Sequence, residues 1–166
     1  QFAAAMPVGF TGRAELADVY LNAALDPAEF IARLAAALPP GIRPLAAEPV
    51  SRETPSLQSQ VAGARYRVEV ESEEDAEDFQ AKLDAFLARP DAWRERRRGK
   101  EVSRYDLRPL IQALTYTGRT AHGHAFEVTM RAAPGATGRP DELLAELGHE
   151  TAPRRIERLE LLFLGE

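Results

Sequence analysis

The clearest pattern of hydrophobic and polar positions lies between residues 65 and 71. Three apolar residues there alternate with four charged ones, as in a strand with one buried and one solvated face. The apolar positions are Tyr66, Val68 and Val70. Apolar residues at helical spacing, from Phe79 to Leu87, then predict a helix that Ser72 caps and Pro90 ends. This part of the chain is therefore predicted to be a strand followed by a helix.

The segment before this strand predicts a helix between two extended pieces. Asp26 is in the N-cap position, Pro27 is in the first helical position, and Pro39-Pro40-Gly41 ends the helix. Alternation over residues 15–21 predicts a half-buried strand before the helix. Residues 42–50 are predicted to lie extended at a sheet edge, because two prolines weaken them as a strand.

The second half adds two paired strands, a short helix and a final strand. These elements are predicted at residues 110–117 and 124–131, 140–147, and 156–164. With the first strand and helix they give the split βαβ order. We therefore predict an α+β fold of two ferredoxin-like halves, an antiparallel sheet with helices on one face. Residues 1–62 form an incomplete first half, and residues 63–166 form a second half with a basic hairpin insertion.

Composition narrows the class of protein. The 166 residues are 45% hydrophobic and 28% charged, which is typical of a globular chain rather than a disordered one. The absence of cysteine excludes disulfides, thiolate-bound metals and iron–sulfur clusters. Neither a membrane-length apolar run nor a signal-peptide pattern is present. We expect a cytoplasmic protein that uses no membrane, metal or cofactor.

Positive charge is concentrated in residues 94–108, where seven residues are basic although the net charge of the chain is -5. Like charges this close repel one another unless solvent, carboxylates or an anionic partner offset them. Gly99 offers a turn between two short extended pieces, which predicts a hairpin. The candidate contacts to RNA or phosphate are Arg94, Arg96, Arg98, Lys100 and Arg108, with Asp106 to orient them.

Two structural alternatives compete with a binding role for this stretch. The interleaved carboxylates at residues 95, 101 and 106 permit self-neutralisation. Asp106 and Arg108 share a face of an extended chain, so they are also candidates for an ion pair that fixes the segment. Neither alternative needs a partner molecule.

Other motifs supply no catalytic site. His122 and His124 share one side of a strand, but a third strong metal ligand is missing nearby. Gly118-Arg119-Thr120 followed by His124-Ala125 is similar to part of the tRNA pseudouridine synthase motif. Ala121 stands where that family has its catalytic Asp. An RNA-modifying enzyme of this layout, lacking the nucleophile, is kept as an alternative.

A series of short motifs covers essentially the whole chain in a fixed order. They are Met6-Pro7-Val8-Gly9, Glu15, Leu-Pro-Pro-Gly at 38–41, Pro55-Ser56-Leu57, Ala64-Arg65-Tyr66, Gly99-Lys100, Asp106-Leu107-Arg108-Pro109, Arg139-Pro140 and Arg158. Together they resemble the radical-SAM-associated bacterial domain of unknown function, which is found separately or fused behind a cobalamin-type radical SAM protein. Gly12 departs from the family pattern, which often has a small polar residue there.

The resemblance implies a bacterial protein with a radical SAM partner and brings no biochemical activity with it. Members of the family normally begin with a basic segment that is read as a strand and a helix. The resemblance implies that this segment is missing here, which would explain the incomplete first half. Members are often encoded near ribosomal proteins and an RNase E/G-type enzyme, which implies an RNA setting.

Three functions are compatible with these observations. The first is a noncatalytic accessory domain of a radical SAM system that binds tRNA-like or rRNA-like RNA, or a phosphate-bearing ligand, through the basic hairpin. The second is a protein–protein module that docks a radical SAM enzyme through a sheet edge or an apolar patch. The third is an enzyme whose cleft would gather Lys100, Asp106, Arg108 and Arg158.

Overall fold

The computed structural model describes residues 1–99, 101–133 and 136–165, and it confirms a mixed α+β fold. The strands are β1 (Phe10–Gly12), β2 (Val61–Glu71), β3 (Trp93–Arg98), β4 (Glu101–Asp106), β5 (Ile111–Arg119), β6 (Gly123–Ala133), β7 (Ala136–Thr137) and β8 (Arg154–Phe163). The helices are α1 (Pro27–Ala37), α2 (Leu57–Gln60), α3 (Ala76–Leu87) and α4 (Pro140–Glu146), with a 3-10 turn at Arg108–Leu110.

Five strands form the main sheet in the order β1-β8-β2-β6-β5, and the short β7 pairs with β6. The predicted pairing of β5 with β6 is present, and β2 pairs antiparallel with β6 and β8. The prediction of an antiparallel sheet is wrong at one edge, because β1 runs parallel to β8. The sheet is therefore mixed.

The core lies on the face of the sheet that the alternating apolar positions of β2 define. Tyr66, Val68 and Val70 are buried in one cluster with the inward residues of helices α3 and α4. The helix residues in this cluster are Phe79, Leu83 and Phe86 of α3 and Leu143 and Leu144 of α4. Helical spacing of these side chains lets one stripe of each helix cover the sheet.

The opposite face of the sheet is polar and carries cross-strand ion pairs. Arg65 on β2 bonds Glu127 on β6 at 2.9 Å and Glu160 on β8 at 2.7 Å. The charged half of the β2 alternation is therefore solvated, as the sequence predicts.

Local predictions in the first half are partly corrected. The capped helix is confirmed, since the Asp26 carboxylate accepts from the backbone N–H groups of Ala28 and Glu29. The strand predicted at residues 15–21 is wrong, because only an isolated bridge between Phe2 and Ala17 forms there. The prediction that residues 42–50 lie at a sheet edge is also wrong, because they pair with no strand among the described residues, and Pro44 and Pro49 remove two ladder donors there.

Helix α3 begins later than predicted. Its N-cap is Asp75 rather than Ser72. The Ser72 hydroxyl instead accepts from the Glu74 backbone N–H at 3.2 Å, so Ser72 closes a turn before the helix. The buried positions of α3 are as predicted.

Candidate functional site

The basic stretch forms the predicted hairpin, with β3 antiparallel to β4 and Gly99 in the turn at φ 59°. Residues directly opposite each other in an antiparallel pair have side chains on the same face. Arg94 opposite Tyr105 and Arg96 opposite Ser103 belong to the face we call the inner face. The pairs of the outer face are Trp93 and Asp106, Glu95 and Arg104, and Arg97 and Val102.

The inner face is bound to helix α4. The Arg96 guanidinium donates to both carboxylate oxygens of Glu142, at 2.7 and 3.0 Å, and to the Thr137 carbonyl at 3.1 Å. The same guanidinium lies 4.6 Å from the centre of the Tyr105 ring. Burial alone would lower the pKa of Arg96, but Glu142 outweighs it and the pKa is raised. Arg96 is thus a fixed structural cation.

Arg94 is held in the same way one turn further along α4. Its Nη1 donates to Glu146 at 2.7 Å, and Arg89 donates to the other oxygen of that carboxylate at 2.7 Å. Burial would raise the pKa of Glu146, but the two guanidinium groups outweigh it and the pKa is lowered. Glu142 and Glu146 are four residues apart on α4 and therefore face the hairpin together.

Asp106 and Arg108 act through the backbone rather than as the expected ion pair. The Asp106 carboxylate accepts from the backbone N–H groups of Ala92 at 2.7 Å and Arg108 at 3.0 Å. The Arg108 guanidinium donates to the carbonyls of Leu87, at 2.8 and 3.1 Å, and Ile111, at 3.2 Å. These bonds close the base of the hairpin and satisfy a carbonyl at the end of α3.

Arg158 lies away from the hairpin on β8. It is buried, and its guanidinium bonds the Glu15 carboxylate and the carbonyls of Ala4 and Ala5. Its pKa is raised because the bonds to Glu15 outweigh the opposing effect of burial. Arg158 and Arg108 share no bonding partner, so the contacts of the described residues give no support to a single cleft.

Two predicted site residues fall outside this account. Lys100 lies outside the described residues, and so does the side chain of Arg98. A surface cavity of about 610 Å³ lies elsewhere, at the end of the sheet, and includes none of the predicted site residues. It is lined by Glu71, Ser72, Glu73, Arg119, Ala121 and His122.

Glu142→Gln is expected to lower the pKa of Tyr105. That pKa is raised to about 12 by burial first, and then by the hydrogen bond and charge of Glu142, while Arg96 opposes the rise. Since the folded state favours neutral Tyr105, its stabilisation is fully present below the ordinary pKa of about 10 and is lost as the pH rises to about 12. In the variant the pKa of Tyr105 lies closer to its ordinary value, so this stabilisation is lost at a lower pH.

Tyrosinate absorbance, titrated alongside urea unfolding at each pH, measures this shift. Glu146→Gln is the matched control, because Glu146 binds Arg89 and Arg94 and leaves the titration of Tyr105 unchanged. An equal tyrosine titration in wild type and Glu142→Gln would contradict the prediction.

The outer face of the hairpin contains residues that the site prediction omitted. The indole of Trp93 is 52% exposed, and the Arg104 guanidinium lies 4.6 Å from its ring centre. Arg97 and Val102 are exposed on the same face. Strand alternation already separates Arg97 from Arg94 and Arg96, which share a face, but it does not tell which face is covered.

Of the two histidines in the predicted hairpin, His124 is packed in the core, whereas His122 is exposed. His124 is fully buried, its Nδ1 lies 2.9 Å from the Tyr116 hydroxyl, and its Nε2 lies 3.0 Å from the Glu74 carbonyl. Its ring stacks on Phe79 at 4.2 Å. Because a carbonyl only accepts, Nε2 donates a hydrogen bond to the Glu74 carbonyl. Among the described residues no group of three metal-ligating side chains occurs.

Many apolar side chains of residues 1–62 are exposed or half-buried. From residue 4 to residue 62 no residue is buried, although the segment includes the amphipathic helix α1. The half-buried stripe of α1 includes Phe30, Ile31 and Leu34. Large apolar side chains exposed by 43% to 79% are Leu16, Val19, Tyr20, Leu21, Ile42, Leu45 and Val50. We call residues 16–50 the apolar segment.

A family model described as an uncharacterized protein conserved in bacteria matches residues 1–140. No curated protein matches the chain. In the described part of the chain, no helix has the length and apolarity that crossing a membrane requires.

Proposed function

Because the chain belongs to this family of uncharacterized bacterial proteins (DUF2344), we propose that it is a noncatalytic accessory domain that docks onto a partner protein in the cytoplasm. The proposed partner is a radical SAM enzyme, following the resemblance of its motifs to the radical-SAM-associated domain. The apolar segment supplies the docking surface. The observation that carries this proposal is the exposure of the apolar segment together with the half-buried apolar stripe of α1.

Seven large apolar side chains of the apolar segment are exposed, and the chain gains no stability from leaving them in water. Burying one Leu, Ile or Phe side chain contributes about 1.5–3 kcal/mol. Ile31, Leu34 and Leu38 are spaced i, i+3 and i+7, which is the spacing of an amphipathic helix that lies in a groove of a partner. Burial of this stripe by a partner therefore contributes binding free energy that is absent in the isolated chain.

Charge favours a protein groove over a membrane surface as the occupant. Helices that bind anionic lipid have a polar face rich in Lys and Arg. The polar face of α1 carries Glu29 and Arg33, which pair with each other. This face brings no net positive charge to a lipid headgroup layer.

The strand order supports a finer proposal for the fold. Omitting the hairpin, β2, α3, β5, β6, α4 and β8 follow the βαββαβ order, with β6 between β2 and β5. We propose that residues 63–166 are a ferredoxin-like unit with the hairpin inserted between α3 and β5. The division from an incomplete half at residues 1–62 stays a prediction.

A second candidate function is binding of RNA or another phosphate-bearing ligand at the hairpin. The observation that favours it is the outer face, where Arg97 and Arg104 lie beside an exposed Trp93. Arg94 and Arg96 are bound to α4, so they are available to a ligand only if those contacts open.

Leu34→Glu is expected to weaken binding to the partner by about 10- to 100-fold, which corresponds to the burial of one leucine side chain. The probe is the cobalamin-type radical SAM protein from the same genome, titrated calorimetrically with this chain. Leu34 is half-buried in the free chain, so urea unfolding of the variant checks that the fold is retained.

Ala36→Glu is the matched control, because it adds the same charge on the exposed opposite face of α1. It is expected to bind as wild type does. Equal weakening by both variants, or no association of the wild-type chain, would overturn docking through this stripe.

A further inference from the structure

We propose that the outer face of the hairpin is a contact for single-stranded nucleic acid, with Trp93 as a base-stacking platform and Arg97 and Arg104 as phosphate and base contacts. The inference deepens the second candidate function and does not depend on docking through α1. The proposed contact residues lie on the exposed outer face, whereas Arg94 and Arg96, which were named from the sequence, lie on the inner face.

The arrangement of Trp93 and Arg104 is suited to stacking of a base. Arg104 lies opposite Glu95 in the strand register, yet its guanidinium stacks on the indole of Trp93 at 4.6 Å. This contact covers one face of the ring and holds it in place, while Trp93 stays 52% exposed. A fixed, half-open indole next to a planar cation is suited to stacking of an unpaired base.

Ion pairs between the inner face and α4 fix the orientation of the hairpin. Glu142 and Glu146 hold Arg96 and Arg94 against α4, so the hairpin presents its other face outward. The outward orientation of Trp93 is thus fixed by ion pairs on the opposite side of the same two strands. A platform on a rigid element loses less conformational entropy when a base stacks on it.

The spacing of Arg97 from Trp93 along β3 is suited to a single strand of nucleic acid. Arg97 is four residues from Trp93 on the same strand and face, which places it about 13 Å away at the usual rise of a strand. A nucleic-acid strand lying along β3 therefore meets an aromatic ring and then a cation, the combination that sequence-tolerant single-strand binders use. A duplex offers no unstacked base to Trp93.

Glu95 opposes the proposed ligand. It lies between Trp93 and Arg97 on the outer face and repels a phosphate backbone. Glu95→Gln is therefore expected to tighten binding severalfold.

The test uses the full chain and intrinsic fluorescence, because Trp93 is its only tryptophan. Oligouridine RNA and oligothymidine DNA of equal length are titrated at two salt concentrations, beside a duplex and polyglutamate. Saturable quenching of Trp93 by either single strand is expected. Anisotropy of a labelled oligonucleotide extends the measurement to Trp93→Ala, for which a roughly 5- to 150-fold loss is expected.

Arg97→Ala is expected to weaken binding and to reduce the salt slope by about 0.7, the value for one phosphate contact to a single strand. Arg43→Ala is the matched control, since it removes an exposed arginine far from the hairpin in sequence. Arg104→Lys keeps the charge and loses the planar stack, so it is expected to bind less tightly than wild type. Urea unfolding of each variant checks that the fold is retained.

Several results would overturn the proposal. They are absence of quenching, equal binding of the duplex, equal losses in Arg43→Ala and Arg97→Ala, and preference for polyglutamate. Binding that persists unchanged in Trp93→Ala and Arg97→Ala would overturn this contact while leaving nucleic-acid binding by the chain in place. Docking of the radical SAM enzyme through α1 is unaffected by each of these outcomes.

Discussion

Glu15→Ala is expected to destabilise the chain by about 3–5 kcal/mol, because it leaves the guanidinium of Arg158 buried without its carboxylate. Arg158 is 2% exposed and lies on the core side of β8, opposite Tyr66. The Ala4 and Ala5 carbonyls satisfy part of its hydrogen bonding but none of its charge. The loss therefore includes both the ion pair and the desolvated cation.

Urea denaturation of wild type and variant measures the difference. Glu157→Ala is the matched control, since Glu157 pairs with Arg13, whose side chain is 63% exposed. An exposed pair of this kind contributes about 0–1 kcal/mol. The double variant Glu15→Ala with Arg158→Met is expected to be more stable than Glu15→Ala alone, because the unpaired buried charge is gone. Equal costs for Glu15→Ala and Glu157→Ala would contradict this account.

Phe79→Ala is expected to cost about 3–5 kcal/mol through lost burial and the cavity it leaves. Phe79 is 1% exposed and occupies the centre of an aromatic cluster. Its ring stacks on His124 at 4.2 Å and lies 5.9 Å from Tyr116 and 5.5 Å from His149. Its loss therefore removes the packing that keeps the polar rings of the cluster in place.

The urea unfolding midpoint, with an unchanged slope, reports this cost. Phe2→Ala serves as the control because Phe2 is 66% exposed, and a change of less than about 0.5 kcal/mol is expected for it. Phe79→Leu is expected to lie between the two. A midpoint of Phe79→Ala equal to that of Phe2→Ala would show that α3 does not anchor the core.

Periodicity predicted the second half of the fold well because packing and local pattern agree there. The alternation in β2 and the spacing from Phe79 to Phe86 both follow from burial on one face. The first half failed where local pattern had no partner. Residues 15–21 alternate, but strand formation needs a neighbouring strand, and the chain supplies only the bridge at Ala17.

Sequence reasoning predicted which stretch of the chain is basic, but not which of its residues form an exposed surface. The sequence shows that basic residues cluster at the hairpin, yet their partners Glu142 and Glu146 are about fifty residues away in the chain. Charge counts over a window cannot detect such long-range neutralisation. The exposed pair of Trp93 and Arg104 was missed because their contact depends on the register of β3 and β4.

The parallel pairing of β1 with β8 affects how the protein is made. Phe10 pairs with Ile156, and among the described residues β1 has no other strand beside it. At ordinary translation rates the ribosome needs on the order of ten seconds to synthesise the residues between them. The emerging chain keeps β1 and its apolar neighbours unpaired for that time, which is a window in which chaperones or a nascent partner have access to them.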